Sequence, residues 1–135
     1  MNKQTRRTFL AATGIVGGVL AASAMPLGKG KSKKQVVHHV FFWLKNPNSK
    51  EDLDKLLAGL QTLKKIETVR AIHIGVTAKT EQRSVVDASF SASELLFFDD
   101  LAGQKTYQDH PIHLEFIKNC SALWDKVIVY DSLDI

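Results

Sequence analysis

The chain has 135 residues and a formal net charge of +4, enough length for one domain with one modest core. The positive excess sits entirely in Lys3, Arg6, Arg7 and the tract Lys29, Lys31, Lys33 and Lys34; from Gln35 onward 11 Lys and Arg stand against 14 Asp and Glu, a balance of −3. A nucleic-acid partner, which needs a basic patch within the folded part, is therefore excluded as a reading of the pI, and a single cysteine, Cys120, excludes an intrachain disulfide or a cysteine-based zinc site.

Residues 1–24 read as an export signal rather than as fold sequence. The segment has a basic start, a Gly/Ala-rich apolar run and a small-x-small cleavage site at Ala22-Ser23-Ala24. Its "TRRTFL" matches the twin-arginine pattern, and Gly14, Gly17 and Gly18 dilute the apolar run. Cleavage after Ala24, export by the twin-arginine machinery and a periplasmic location are expected. The competing reading is an uncleaved anchor, since Thr8 to Gly28 carries no charge and about 20 apolar residues span a bilayer. Residues 25–35 read as a lysine-rich linker, and residues 36–135 as the domain.

Within that domain "VVHHVFFWLK", Val36 to Lys45, predicts a first strand stopped by "NPN". Its two faces read His38, Val40, Phe42, Leu44 and His39, Phe41, Trp43. Both are largely apolar, so both should be covered. Ser49 opens a helix, with Asp52 approximating a capping box. Leu53, Leu56, Leu57, Leu60 and Leu63 form its inner stripe. Gly59 lowers helix propensity by about 1 kcal/mol against alanine, which close packing would explain.

"VRAIHIGV", Val69 to Val76, predicts a second strand, and "TAKTEQRSVVDAS" a polar connection. "FSASELLFF", Phe90 to Phe98, predicts a third. Asp99 or Asp100 caps a short helix through Tyr107. His110-Pro111 breaks it, because a residue before proline avoids helical backbone. Pro111 then starts a helix running to about Trp124, with Ile112, Phe116, Ile117, Cys120 and Trp124 inward and His113 beside them. "KVIVYDSL" closes as a fourth strand.

The order is an α+β, ferredoxin-like β-α-β-β-α-β arrangement with an antiparallel four-stranded sheet. Two helical regions cover only one sheet face. The uncovered face, with Phe41 and Trp43, predicts a second copy packed sheet on sheet as an isologous homodimer.

The early histidine in "HHVFFWLK", the stretch "LLFFDDLAGQKTYQDHPIH" and the closing "VIVYD" together resemble the stress-responsive α/β-barrel domain family, Dabb. The resemblance runs from Val36 to Asp131, and its most specific part is the acidic helix start, the tyrosine and the His-Pro-x-His. It implies a dimeric α/β barrel built from ferredoxin-like protomers. Many members have no assigned role. A plant member is a polyketide cyclase whose acid–base tyrosine and histidine match Tyr107 and His113, with the first-strand histidine, His38, lining the same pocket. Phe42, Leu96 and Phe98 in the expected pocket wall depart from what a long alkyl polyketide would require.

The candidate site is therefore a pocket between the second helical region and the sheet, with Tyr107 and His113 as tentative catalytic groups and His38, Val40, Phe42, His110 and Phe116 lining it. Histidine titrates near neutrality, and a positioned general base contributes roughly 10²–10⁴-fold. His113 reads equally as a buried, hydrogen-bonded imidazole, His38 more readily as structural, and His110 first as a helix cap. His110 and His113 lie three apart across a proline, unlike the helical two-histidine metal motif, so no metal is expected. No cofactor is expected either: the sequence has no nucleotide-binding glycine loop or haem-attachment motif. Two function classes remain open: a binding protein for an unknown small molecule, or a cofactor-independent cyclase, lyase or isomerase. An oxygenase rests on fold analogy alone.

Overall fold

The computed structural model describes residues 33–135. The export signal and most of the lysine-rich linker lie outside the described residues. Strand β1, Val36–Leu44, is followed by helix α1, Lys50–Thr62, which a short 3-10 turn, Leu63–Lys65, extends. Strands β2, Ala71–Val76, and β3, Ala92–Phe98, follow, then helices α2, Leu101–Asp109, and α3, Pro111–Cys120, and finally strand β4, Trp124–Leu133. The sheet order is β2-β3-β1-β4 with every pair antiparallel. This is the ferredoxin-like fold expected from the pattern.

Alternation decides what β1 does. Val36, His38, Val40, Phe42 and Leu44 are buried beneath the helices, while Val37, His39, Phe41 and Trp43 are half-buried on the opposite face. The core lies between that first face and the helices: Leu56, Leu60 and Leu63 from α1 and its turn, Leu96 and Phe98 from β3, and Tyr107 from α2 are all solvent-inaccessible. Burying such side chains contributes about 1.5–3 kcal/mol each.

Local chemistry sets the helix ends. The Ser49 hydroxyl accepts from the Asp52 amide at 3.2 Å. The reciprocal half of the capping box is missing, because the Ser49 amide donates to the Asn46 carbonyl and the Asp52 carboxylate accepts from the Asn46 side chain. Asp100 caps α2 through the Gly103 amide at 2.7 Å. The last helix is shorter than its apolar stripe suggested. It ends at Cys120, a 3-10 turn covers Ser121–Leu123, and Trp124 opens β4. Trp124 continues the inward pattern because it packs on Phe42 and Phe116 from the strand, so the apolar periodicity runs on where the helix does not. Strands β2 and β3 each start two residues later than predicted.

Candidate functional site

Beneath α2 and α3 the fold leaves a hollow of about 130 Å³. Strand β1 contributes His38, Val40 and Phe42 to its wall, β3 Glu94, and α2 Tyr107 and Gln108. Helix α3 adds His113, Phe116 and Ile117, and β4 adds Trp124, Val127 and Val129. Ile117, Val127 and Val129 remain partly exposed, which sets the mouth between α3 and the free edge of β4. Larger hollows exist on the surface, among them one of about 790 Å³ along the connection Thr77–Ala88. That one is walled by exposed side chains such as Lys79, Gln82 and Arg83. The smaller cavity is where buried proton-carrying groups meet: Tyr107 at 0 % exposure, Glu94 at 2 %, His38 at 5 % and His113 at 7 %.

Each of these groups is oriented by a specific partner. Tyr107 lies between the two imidazoles, with ring centroids 5.7 Å from His38 and 4.6 Å from His113. Its hydroxyl donates to Oε1 of Glu94 at 3.3 Å. Burial beside that carboxyl pushes the Tyr107 phenol well above the ordinary tyrosine range. Nδ1 of His113 meets the Gln108 carbonyl at 3.0 Å. A carbonyl only accepts, so Nδ1 carries the proton and Nε2 keeps its lone pair. Burial lowers the His113 pKa, and the nearby His38 adds to this against the opposing hydrogen bond to Gln108. The ring is thereby held neutral, as a base must be. Nδ1 of His38 donates across the sheet to the Asp131 carboxylate, its neighbour in register on β4.

Glu94 is the group that the sequence reading missed. Its Oε2 is buried and has no hydrogen-bond partner among the described residues. Desolvation drives its pKa up to about 8, against a smaller lowering by the Tyr107 hydrogen bond. The signal was present: in "ASELLFF" a lone carboxylate falls in phase with Ala92, Leu96 and Phe98, the helix-facing positions. Asp131 was invisible for another reason, since its pairing with His38 depends on cross-strand register.

Two expected wall residues need correction, and so does His110. Leu96 and Phe98 do not line the cavity; they are fully buried core. His110, expected on the pocket wall, lies off it. Its extended backbone before Pro111 makes it the N-cap of α3, with Nδ1 accepting from the Ile112 amide at 3.0 Å and Nε2 3.4 Å from Glu67. His110 and His113 thus serve different neighbours and do not converge. Among the described residues no group of three or more His, Cys, Asp or Glu side chains is placed to hold a metal ion.

Comparison with known proteins agrees with this architecture. The stress responsive A/B barrel domain, Dabb, matches residues 36–134. A stress-response A/B barrel domain-containing protein of Arabidopsis thaliana is 29% identical over 85 residues, covering 61% of this chain and 75% of that protein. The structure of a hydroxynitrile lyase from Passiflora edulis superposes with a TM-score of 0.63 at 22% identity, over 76% of this chain and 95% of the lyase. A dimeric ferredoxin-like protein of unknown function from Thermobifida fusca superposes with a TM-score of 0.60 at 14% identity, over 73% of this chain and 90% of that one. At these identities the two structures establish the fold alone. The family match spans nearly the whole described domain, and the chain belongs to the stress responsive A/B barrel domain family, Dabb.

Proposed function

We propose that this chain is an exported Dabb-domain protein that binds a small, largely apolar molecule beneath α2 and α3, with histidine–tyrosine acid–base capacity at the site. The observation that carries the reading is the cavity itself. Four buried proton-carrying side chains converge on it, and its remaining wall is mostly apolar. Concave, mainly apolar pockets with a few convergent polar groups are the usual form of a small-molecule site. An apolar cavity of roughly 150 Å³ holds one benzene, so the volume here fits a compact, benzene-sized group.

The test is a titration with benzene followed through methyl resonances. Shifts confined to Ile117, Val127, Val129 and Val40 support the reading. No shift at these methyls, or equal shifts on the opposite sheet face, overturns it.

The second reading is a cofactor-independent lyase, cyclase or isomerase. It is favoured by the free Nε2 of His113, a neutral base held in one tautomer inside the cavity. One structural relative is a hydroxynitrile lyase, which makes carbon–carbon lyase chemistry a reasonable class to screen. In such an enzyme His113→Ala removes turnover and leaves affinity nearly intact; unchanged turnover rejects the role.

The proposal includes a homodimer. The half-buried Phe41 and Trp43, with Phe90 and Tyr130 around Phe41, form an aromatic surface on the helix-free face. Structural relatives include a dimeric ferredoxin-like protein. Sedimentation velocity of the mature protein reads the mass directly, and a monomer at micromolar concentration removes this part. Export is tested by the mature N-terminus, expected at Met25 in a periplasmic fraction.

A further inference from the structure

The donors and acceptors around the cavity are unevenly spent. The Tyr107 hydroxyl proton is used on Glu94, the His113 Nδ1 proton on the Gln108 carbonyl, and the His38 Nδ1 proton on Asp131. Glu94 is 98 % buried, forms part of the cavity wall, and its Oε2 meets no partner among the described residues. One carboxyl oxygen accepts from Tyr107, so a proton held by Glu94 resides on the other, Oε2. Among the described residues no Lys or Arg lines the cavity to neutralise an anion. An isolated ionised carboxylate at such a place is costly, and a neutral carboxyl is a strong donor in want of an acceptor.

We propose that Glu94 is a neutral, ligand-contacting acid whose Oε2 hydroxyl donates to the oxygen of a small neutral carbonyl compound, selecting it over a hydrocarbon of the same shape. This rests on the cavity being a ligand site and names the ligand's chemical class. It also reassigns the donor: the Tyr107 hydroxyl, already committed to Glu94, positions the acid rather than meeting the carbonyl. A buried donor left unpaired costs about 1–3 kcal/mol, so the carbonyl oxygen supplies what a hydrocarbon lacks.

The groups facing Glu94 are few. His38 comes from β1, Tyr107 from α2 and His113 from α3, with Asp131 of β4 behind His38. Its register partners, Val40 on β1 and Ile74 on β2, are uncharged. In α1 the charged Lys50, Glu51, Asp54 and Lys55 are exposed. Ionisation of Glu94 near its raised pKa of about 8 removes the donor, so the carbonyl preference should fade on the alkaline side.

The experiment compares cyclohexanone with methylenecyclohexane, its oxygen-free counterpart, on the full-length mature protein. Wild type is expected to bind the ketone roughly tenfold more tightly near neutral pH and to lose that preference above about pH 9. Glu94→Gln keeps a donor and the shape, so it keeps the preference without the pH dependence. Glu94→Leu binds both compounds alike. An infrared band of a protonated carboxyl in the unliganded wild type at neutral pH, absent from Glu94→Gln, reads the acid without any ligand. Equal affinity of wild type for both compounds, an undiminished preference in Glu94→Leu, or the absence of that band overturns the assignment of Glu94 alone. Failure of both compounds to bind wild type overturns the ligand-site reading and this inference with it.

Discussion

The Tyr107 hydroxyl and Oε1 of Glu94, 13 positions apart in sequence, meet at 3.3 Å in a place neither shares with solvent. The bond ties α2 to β3 and gives a buried carboxyl one of the two partners it needs. Tyr107→Phe keeps the ring between the imidazoles and removes only the donor. Leaving Oε1 unpaired is expected to lower stability by about 1–3 kcal/mol, measured by urea unfolding with an unchanged m-value. The Glu94 pKa should rise further above about 8, since this hydrogen bond is what pulls it down; carbon-detected titration of the glutamate carboxyls reads the shift.

Glu94 also makes stability depend on pH, and the sign follows from its environment. Its folded pKa of about 8 lies above the ordinary glutamate value of 4.5. Between those values the folded state holds a proton that the unfolded state has released. Stability therefore falls as pH rises through this window and levels off above it. The slope from one such group reaches at most ~1.4 kcal/mol per pH unit. Glu94→Gln removes that contribution. The variant should gain on wild type steadily from about pH 5 to about pH 8 in parallel denaturation series. A stability difference that is flat across this range would show that Glu94 is already ionised in the folded protein.

Gly59 is set by packing. A Cβ there would lie 2.5 Å from the Cys120 Sγ and 3.0 Å from a ring carbon of Phe116. Gly59→Ala gains about 1 kcal/mol of helix propensity, but overpacking a filled core costs about 1–3 kcal/mol. Net destabilisation is expected, with partial recovery on adding Cys120→Ala, which removes the sulfur in the way. A double-mutant cycle in thermal unfolding separates the coupling from the two single effects.

These contacts also show where the sequence was legible. The leucines of α1 and the alternation of β1 carry their own periods, so helix, strand and buried face follow from local pattern. The break at His110-Pro111 follows from the backbone restriction that proline places on its predecessor. Tyr107 and His113 came together in expectation because they flank one short break in one helical region. Glu94 and Asp131 came from distant segments, and their places depend on strand register and pair distance. The end of α3 is hidden in the sequence because Trp124 keeps the apolar period while its backbone has already turned into β4. His110 reads from the sequence as cap and wall at once, and only the direction of its ring separates the two.

That direction yields a control on the site. Nδ1 of His110 accepts from the Ile112 amide, and its other nitrogen faces Glu67, whose side chain is 69% exposed. Losing a side-chain cap costs about 0.5–2 kcal/mol, and a polar contact with so exposed a partner adds little. His110→Ala should therefore destabilise the domain by about 1 kcal/mol, while His110→Asn, which retains an acceptor at the cap, restores most of it. Because the ring lies off the cavity wall, neither variant should change benzene binding in the methyl titration. A His110→Ala protein of normal stability with weakened binding would instead return this histidine to the pocket.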